Sequence, residues 1–246
     1  MRTCLFIAVL SLVGPIAHGQ TEGGLSNISF DQNRIEKAAH AGDRWSMFAA
    51  DTVGDGENLV GARLGWPDLT LEFLHGVSPT VDIGGEFQLS YAFEGTTINN
   101  KVGIGFAAPI RGTVFHNDKI SVLLHIDPGI KILTGLGPAK FGVQAQAGFA
   151  LAFRVGSALH VGFGVDVPFV IYFTGDQNPI VAIPPIFGPF LEYHVDKHFT
   201  LGLDTRFGIL WYSVGDLKDA FGDVIELGFN DTQFAFRVQF VVGYRL

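Results

Sequence analysis

Two carboxylates and a histidine lie close together in the sequence, in a pattern that could support catalysis. Glu192 and His194 are separated by one residue, and Asp204 and Arg206 repeat this spacing a short distance further on. An imidazole between carboxylates can act as a general base. Glu192, His194 and Asp204 are therefore the candidates for an enzyme that hydrolyses lipids or peptides. No serine accompanies His194 on the same faces of this segment, which favours a structural cluster of salt bridges and hydrogen bonds.

A second pair of potential ligands is formed by His125 and Asp127, which are also separated by one residue. A metal site needs three or four such ligands. The sequence does not place a further ligand, such as His160, beside this pair. We therefore predict no metal site and no cofactor.

The elements that carry these residues alternate between apolar and other residues with a period of two. Residues 80–94 and 141–155 have an apolar face of Phe, Val, Leu, Ile, Ala and Tyr, and a second face rich in Gly, Ala and Gln. This alternation is typical of β-strands with one apolar environment. The same pattern recurs in residues 102–110, 120–126, 159–167, 199–211 and 234–246.

Strand length and the second face favour a membrane barrel over a water-soluble β-sandwich. Membrane strands need about 9–11 residues, whereas strands of soluble proteins have about 5–6. Residues 81–93 and 141–155 alternate for longer than that. A sandwich would place Thr, Lys, Glu and Ser on its solvent face, whereas Gly and Ala suit the crowded interior of a narrow barrel. The alternative is a secreted soluble β-barrel that binds an apolar ligand inside.

Composition excludes several other classes. The 246 residues have a mean hydropathy of +0.32 and only 16% charged residues. After residue 19, the longest stretch without Asp, Glu, Lys or Arg has 15 residues, 177–191, and contains four prolines. Such a stretch is too short and too rich in proline to span a bilayer as a helix. A net charge of −8 and a single Cys also argue against a nucleic-acid partner and a disulfide framework.

The chain divides into three predicted parts. Residues 1–19 have a basic start, an apolar run and small residues before Gln20, the pattern of a signal peptide. Residues 20–43 form a leader, in which 34–40 could be a short helix or part of a disordered segment. Residues 44–246 form the transmembrane β-barrel.

Two segments carry a resemblance to a known class of protein. Residues 191–207 form an aromatic-ended strand, a tight polar turn and a second alternating strand, and residues 234–246 end the chain within a strand. The sequence resembles the small porin-like outer-membrane β-barrels of Gram-negative bacteria. The resemblance implies contact with outer-membrane lipid and lipopolysaccharide. It also implies recognition of Phe234–Leu246 by the barrel-assembly machinery, although Leu246 replaces the usual terminal aromatic residue.

The turn signals predict an all-β, antiparallel up-and-down barrel of ten strands, within a range of 8–12. Such barrels have an even strand number, short periplasmic turns and longer outer loops. The second predicted strand changes its apolar face at Trp66-Pro67, so a bulge or a break is expected there. The predicted strands are 44–53, 58–75, 80–94, 100–110, 119–133, 139–155, 158–173, 183–196, 198–213 and 232–246.

Charged residues on the second face predict a lumen with paired charges, and the outer loop 215–231 carries five acids against one lysine. The loop predicts weak cation selectivity or divalent cations that bridge to lipopolysaccharide. We expect narrow passage of small solutes or a structural role, and no enzyme activity. The lumen set is Glu72, Asp82, Glu86, Asp127, Asp166, Glu192, Asp204, Arg63, Lys101, Lys131, Arg154, Arg206, Arg237 and Arg245, and the loop acids are Asp216, Asp219, Asp223, Glu226 and Asp231.

Overall fold

The computed structural model describes residues 45–92, 102–135, 137–174, 177–214 and 231–246. These residues form twelve β-strand segments, all paired in antiparallel fashion, and they contain no helix long and apolar enough to cross a membrane. The strands are β1 (Asn58–Trp66), β2 (Asp68–Ser78), β3 (Val81–Ser90), β4 (Val102–Ala107), β5 (Ile110–His116), β6 (Ile120–Gly135), β7 (Gly137–Val155), β8 (Leu159–Thr174), β9 (Gln177–Ile183), β10 (Ile186–His194), β11 (Phe199–Val214) and β12 (Asp231–Arg245).

The twelve segments make a closed wall of ten strands. β4 and β5 both pair with β3 and β6, and β9 and β10 both pair with β8 and β11. Each pair of segments is therefore one wall strand, interrupted at Pro109 or at Pro184 and Pro185, which cannot donate a ladder hydrogen bond. The wall closes where β12 pairs with β1, from Leu59 opposite Arg245 to Trp66 opposite Val238. The ten-stranded antiparallel barrel is confirmed.

Two of the ten predicted strands were wrong, and the errors cancel in the count. Residues 45–53 form no strand, and the predicted strand 58–75 is two strands, β1 and β2. The change of apolar face at Trp66-Pro67 marks the turn between them, where Trp66 stacks on Phe236 with ring centroids 5.8 Å apart. The predicted connection at residues 111–118 is largely strand β5, which pairs with β6 through a register shift between Thr113 and Phe115.

The outer surface of the barrel is a belt of exposed apolar side chains. Phe73, Ile104, Phe153 and Phe240 are 44%, 42%, 46% and 67% exposed, and they alternate along their strands with buried or half-buried neighbours. An exposed apolar surface that extends around the whole wall is far larger than the patches that soluble monomers tolerate. The outward face is therefore suited to lipid.

The inward face is crowded, as the glycine-rich pattern predicts. A Cβ atom on Gly164 would collide with the guanidinium of Arg206, and one on Gly148 would collide with His125 and Asp166. Small residues on the inward face therefore make room for large charged side chains from other strands.

The two ends of the barrel differ. One end carries only short turns, among them residues 79–80, 156–158 and 195–198, together with the C-terminal residue Leu246, whereas the two long connections, 91–101 and 215–230, belong to the opposite end. We call the end with the short turns the turn end. The opposite end, where β3 leads into β4 and β11 leads into β12, is the loop end. Residues 45–53, which we call the lumen segment, lie inside the barrel at the turn end, where every residue except the half-buried Phe48 is no more than 5% exposed.

Candidate functional site

The lumen segment is anchored at one end by Glu192 of β10. The Glu192 carboxylate accepts hydrogen bonds from Ser46 Oγ at 2.6 Å, from Met47 N at 3.0 Å and from Ala49 N at 3.2 Å. It also accepts one from Thr200 Oγ1 at 3.1 Å. With four donors on two oxygens, this carboxylate is fully occupied, and it is not placed to accept a proton from a substrate.

The other end of the segment is anchored by Asp82 of β3. Val53 N donates to Asp82 Oδ1 at 3.0 Å and to Oδ2 at 3.1 Å. Arg111 Nη2 pairs with Asp82 Oδ2 at 2.5 Å and also donates to Ser46 O at 3.2 Å, while Arg111 Nη1 donates to Met47 O. Arg111 therefore connects Asp82 to the start of the lumen segment.

Between the anchors, Asp51 reaches the wall. Its Oδ1 lies 2.7 Å from His116 Nδ1 on β5, and its Oδ2 lies 3.7 Å from Arg154 Nη2 on β7. Burial raises the pKa of Asp51, but the hydrogen bond and the charge of His116 outweigh it, so that the pKa lies below its ordinary value. Asp51 is therefore held as a carboxylate in the turn end of the lumen.

Hydrogen bonds also attach the lumen segment to two turns. Trp45 Nε1 donates to Lys197 O at 3.0 Å, and Thr52 Oγ1 donates to Pro79 O at 2.8 Å. Because the segment contacts β3, β5, β7 and β10 as well as two turns, it crosses the lumen and obstructs it.

Above the lumen segment, a network of charges spans the lumen around Asp166. Its carboxylate binds Arg206 and Arg237, the latter at 2.7 Å, and it accepts from His125 Nε2 at 3.0 Å. Asp204 binds the same two arginines, at 3.0 Å from Arg206 Nε and 2.7 Å from Arg237 Nη2. β8, β11, β12 and β6 are thereby linked across the interior.

Five other predicted lumen charges have the following neighbours. Arg63 pairs with Glu86 at 2.5 Å and with Glu72 at 3.3 Å, and Asp127 lies 2.8 Å from His125 Nδ1. Arg245 lies over the ring of Trp45, with 5.6 Å between its Cζ and the ring centroid.

The three catalytic candidates do not form one site. Asp204 belongs to the network around Asp166, whereas His194 lies further along the hairpin, where it is paired with Thr200. The His194 ring forms T-shaped contacts with the rings of Trp45 and His160, with centroid distances of 5.0 Å and 4.9 Å. The three candidates are thus spread along the hairpin, from His194 opposite Thr200 to Asp204 opposite Phe190.

Sequence reasoning missed the residues that hold the lumen segment. Ser46, Asp51, Arg111 and His116 were assigned to a strand or to a connection. The pattern of residues 110–116 could have been recognised as a strand with a bulge, but no local signal shows that residues 45–53 fill the lumen.

Two of the cavities between the described residues lie in the lumen. The cavity toward the loop end has a volume of about 90 Å³, and the one between the network and the lumen segment has about 50 Å³. The larger cavity offers amides and both signs of charge, including Gln88, Gln144, Gln146, Asp68 and Lys131. Such a lining suits water and small polar molecules.

Several predictions fall on residues outside the described ranges: the signal peptide 1–19, the leader with the predicted helix 34–40, Lys101, and the loop acids up to Glu226. Asp231 is the first residue of β12.

No family model matches the chain, and no curated protein matches it. A structure similar to it is that of the outer membrane protease OmpT from Escherichia coli, with 8% sequence identity and a TM-score of 0.33, covering 77% of this chain and 93% of that one.

Proposed function

We propose that the chain is a porin-like outer-membrane β-barrel that gives narrow, gated passage to small polar solutes. The first support is the wall itself: ten strands that are closed on themselves, apolar outside and polar inside. A closed barrel leaves no strand edge in the bilayer. Because such barrels have short turns on the periplasmic side, the turn end should face the periplasm and the loop end should face the cell exterior.

The outward half of the lumen is a polar vestibule. Its cavity of about 90 Å³ is lined by Gln88, Gln144 and Gln146 together with Asp68 and Lys131. Amides and mixed charges hydrogen-bond to small polar solutes without selecting one sign of charge. The vestibule therefore admits solutes of a few non-hydrogen atoms.

The observation that carries the gating is the anchoring of the lumen segment at Glu192. Its buried carboxylate binds one hydroxyl and two backbone N–H groups of the segment. Hydrogen bonds to a charged group contribute about 1.5–3 kcal/mol each. Loss of the Glu192 anchor should therefore weaken the closed position of the segment and favour an open one.

The enzyme alternative has less support. Glu192 is saturated with donors, and Asp204 lies in a different part of the lumen from His194. The structural alternative, in which the barrel conducts nothing, is an outcome of the test below. We further propose that the loop acids bind divalent cations and that Phe234–Leu246 is recognised during barrel assembly.

The proposal is tested first by location. We expect the protein to fractionate with the outer membrane in a sucrose gradient and to migrate differently on a detergent gel before and after heating. A band that neither fractionates with the outer membrane nor shifts on heating contradicts the outer-membrane barrel.

The gating is tested by conductance in planar bilayers. We expect rare, small openings for the unmodified barrel and frequent openings for Glu192→Ala. Glu57→Ala, which removes an exposed acid just beyond the lumen segment, is the matched control and should behave like the unmodified barrel. If Glu192→Ala folds and still conducts nothing, the structural role replaces the porin-like one.

A further inference from the structure

Three side chains that can bind a metal ion meet at the turn end of the barrel: His160 of β8, and Glu192 and His194 of β10. One ligand atom from each lies within 4.8 Å of the others. Glu192 is paired with His160 across the two strands, and His194 lies two residues further on the same inward face. The three side chains therefore converge by the register of one strand pair.

Both imidazoles have a buried nitrogen with no hydrogen-bond partner among the described residues. These atoms are His160 Nδ1 and His194 Nε2, and the His160 side chain is only 3% exposed. Leaving a buried polar atom without a partner is unfavourable. Two side chains with such atoms, meeting one carboxylate, point to a ligand that accepts lone pairs from all three.

Glu192 can give one lone pair to such a ligand without releasing the lumen segment. Its Oε1 accepts from Thr200 Oγ1 at 3.1 Å, but the same hydroxyl lies 3.1 Å from Tyr193 O. The hydroxyl has one proton and two possible acceptors, so it can turn to Tyr193 O. The bonds from Ser46, Met47 and Ala49 to Glu192 are then kept.

We propose that His160 Nδ1, His194 Nε2 and Glu192 Oε1 bind one divalent metal ion of the kind that prefers imidazole, with Zn²⁺ as the best match. Two imidazoles and one carboxylate form a common set of three protein ligands for zinc, with water in the fourth position. Ca²⁺ and Mg²⁺ prefer sites made of oxygen atoms alone.

Binding through His160 Nδ1 requires one rearrangement nearby. Arg154 Nε now donates to His160 Nε2 at 3.3 Å, and this nitrogen carries the proton once Nδ1 binds metal. Arg154 then gives up a long hydrogen bond and keeps its ion pair with Asp51.

The ion would connect two wall strands to the lumen segment. β8 and β10 supply the histidines, and Glu192 continues to hold the segment. Metal binding therefore stabilises the closed barrel, because it acts only in the folded state.

The test is a Zn²⁺ titration of the full-length barrel, folded in detergent and freed of metal with EDTA. Calorimetry should give one Zn²⁺ per chain, and Zn²⁺ should raise the unfolding temperature. His160→Gln and His194→Gln should each weaken binding about tenfold or more, since loss of even an outer partner of a ligand costs 10–100-fold.

His75→Gln is the matched control, because His75 also lies near the turn end but binds Asn58 at 2.9 Å on another part of the wall. It should leave Zn²⁺ binding unchanged. The heat-dependent gel shift verifies that each variant is folded, and a visible absorption band of bound Co²⁺ should appear for the unmodified barrel and for His75→Gln only.

Equal Zn²⁺ binding by the unmodified barrel and by folded His160→Gln/His194→Gln would overturn the proposal. So would the absence of saturable binding by the unmodified barrel. Neither result bears on conductance, so the site and the proposed passage of solutes are tested separately.

Discussion

Glu192 and Asp82 stand on opposite sides of the barrel, five wall strands apart in a ring of ten, and each carboxylate binds backbone N–H groups of the same short segment. Glu192 holds Met47 and Ala49, and Asp82 holds Val53. The segment therefore lies across the full diameter of the lumen. A chain that had only one of these anchors could swing aside without leaving the barrel.

The ion pair between Asp82 and Arg111 should contribute strongly to the free energy of unfolding. Asp82 is fully buried and Arg111 is 5% exposed. Arg111→Met leaves a buried carboxylate without its partner, which costs about 3–5 kcal/mol. Asp82→Asn combined with Arg111→Met should cost less than Arg111→Met alone. Reversible urea unfolding of the barrel in lipid vesicles measures each free energy of unfolding. If the loss in the double variant equals the sum of the losses in the two single variants, the two side chains do not interact as proposed.

The two faces of β7 should respond differently to a new charge. Phe149→Arg places a guanidinium on the outward face and should cost about 2–4 kcal/mol at the bilayer midplane. Gln146→Arg, three residues earlier, faces both lumen cavities and should cost less. Gln239 is unsuitable as an inward control, because it is 2% exposed and donates to Asp68 at 2.5 Å. Equal losses of folded barrel in the first two variants would show that the faces are wrongly assigned.

Acid should loosen the lumen segment through Asp51. Its pKa in the folded barrel is lowered, chiefly because the hydrogen bond of His116 outweighs burial. A lowered pKa stabilises the folded form above the unfolded pKa of about 4, and this stabilisation disappears as the pH falls through the folded pKa. We expect the protection of residues 45–53 against hydrogen exchange, relative to the intrinsic rate at each pH, to decrease below about pH 4, and to depend less on pH in Asp51→Asn. Asp55→Asn is the control, and an identical profile for Asp51→Asn and the unmodified barrel would contradict this role.

Crowding on the inward face should make the substitution of Gly162 costly. A Cβ on Gly162 would collide with the ring of Phe190 and with Leu151 O, whereas one on Gly85 would meet no atom within 4 Å. Gly162→Ala should lower the free energy of unfolding by about 1–3 kcal/mol. Gly85→Ala should change it by less than about 0.5 kcal/mol, as is usual for exposed substitutions. The unfolding temperature of each variant in the same detergent decides this prediction.

Ion preference should depend on the loop acids. With the segment released by Glu192→Ala, we expect weak cation selectivity that increases at low salt, because acids at a mouth concentrate cations and salt screens them over about 8–10 Å. Reversal potentials in a KCl gradient measure it. Replacement of the five acids by Asn and Gln should abolish the cation preference. If the barrel prefers anions, or if this variant still prefers cations, the loop is not the source of the selectivity. The five are Asp216, Asp219, Asp223, Glu226 and Asp231.

Local alternation was sufficient to predict most of the wall. The predicted strands 139–155, 158–173, 198–213 and 232–246 agree with β7, β8, β11 and β12 to within about two residues at each end. A strand with lipid on one side and a polar lumen on the other must alternate with a period of two, and this is visible within a single strand. The fold class was therefore determined by the sequence alone.

The contents of the lumen were decided only by the tertiary structure. Residues 45–53 have apolar residues that would suit a strand, and nothing local distinguishes an apolar residue that faces lipid from one that fills the interior. Asp166 meets Arg237 across 71 residues, and Glu192 meets Ala49 across 143. Such partners depend on how the whole sheet closes and on the depth of each residue in the barrel, which no short stretch of sequence contains.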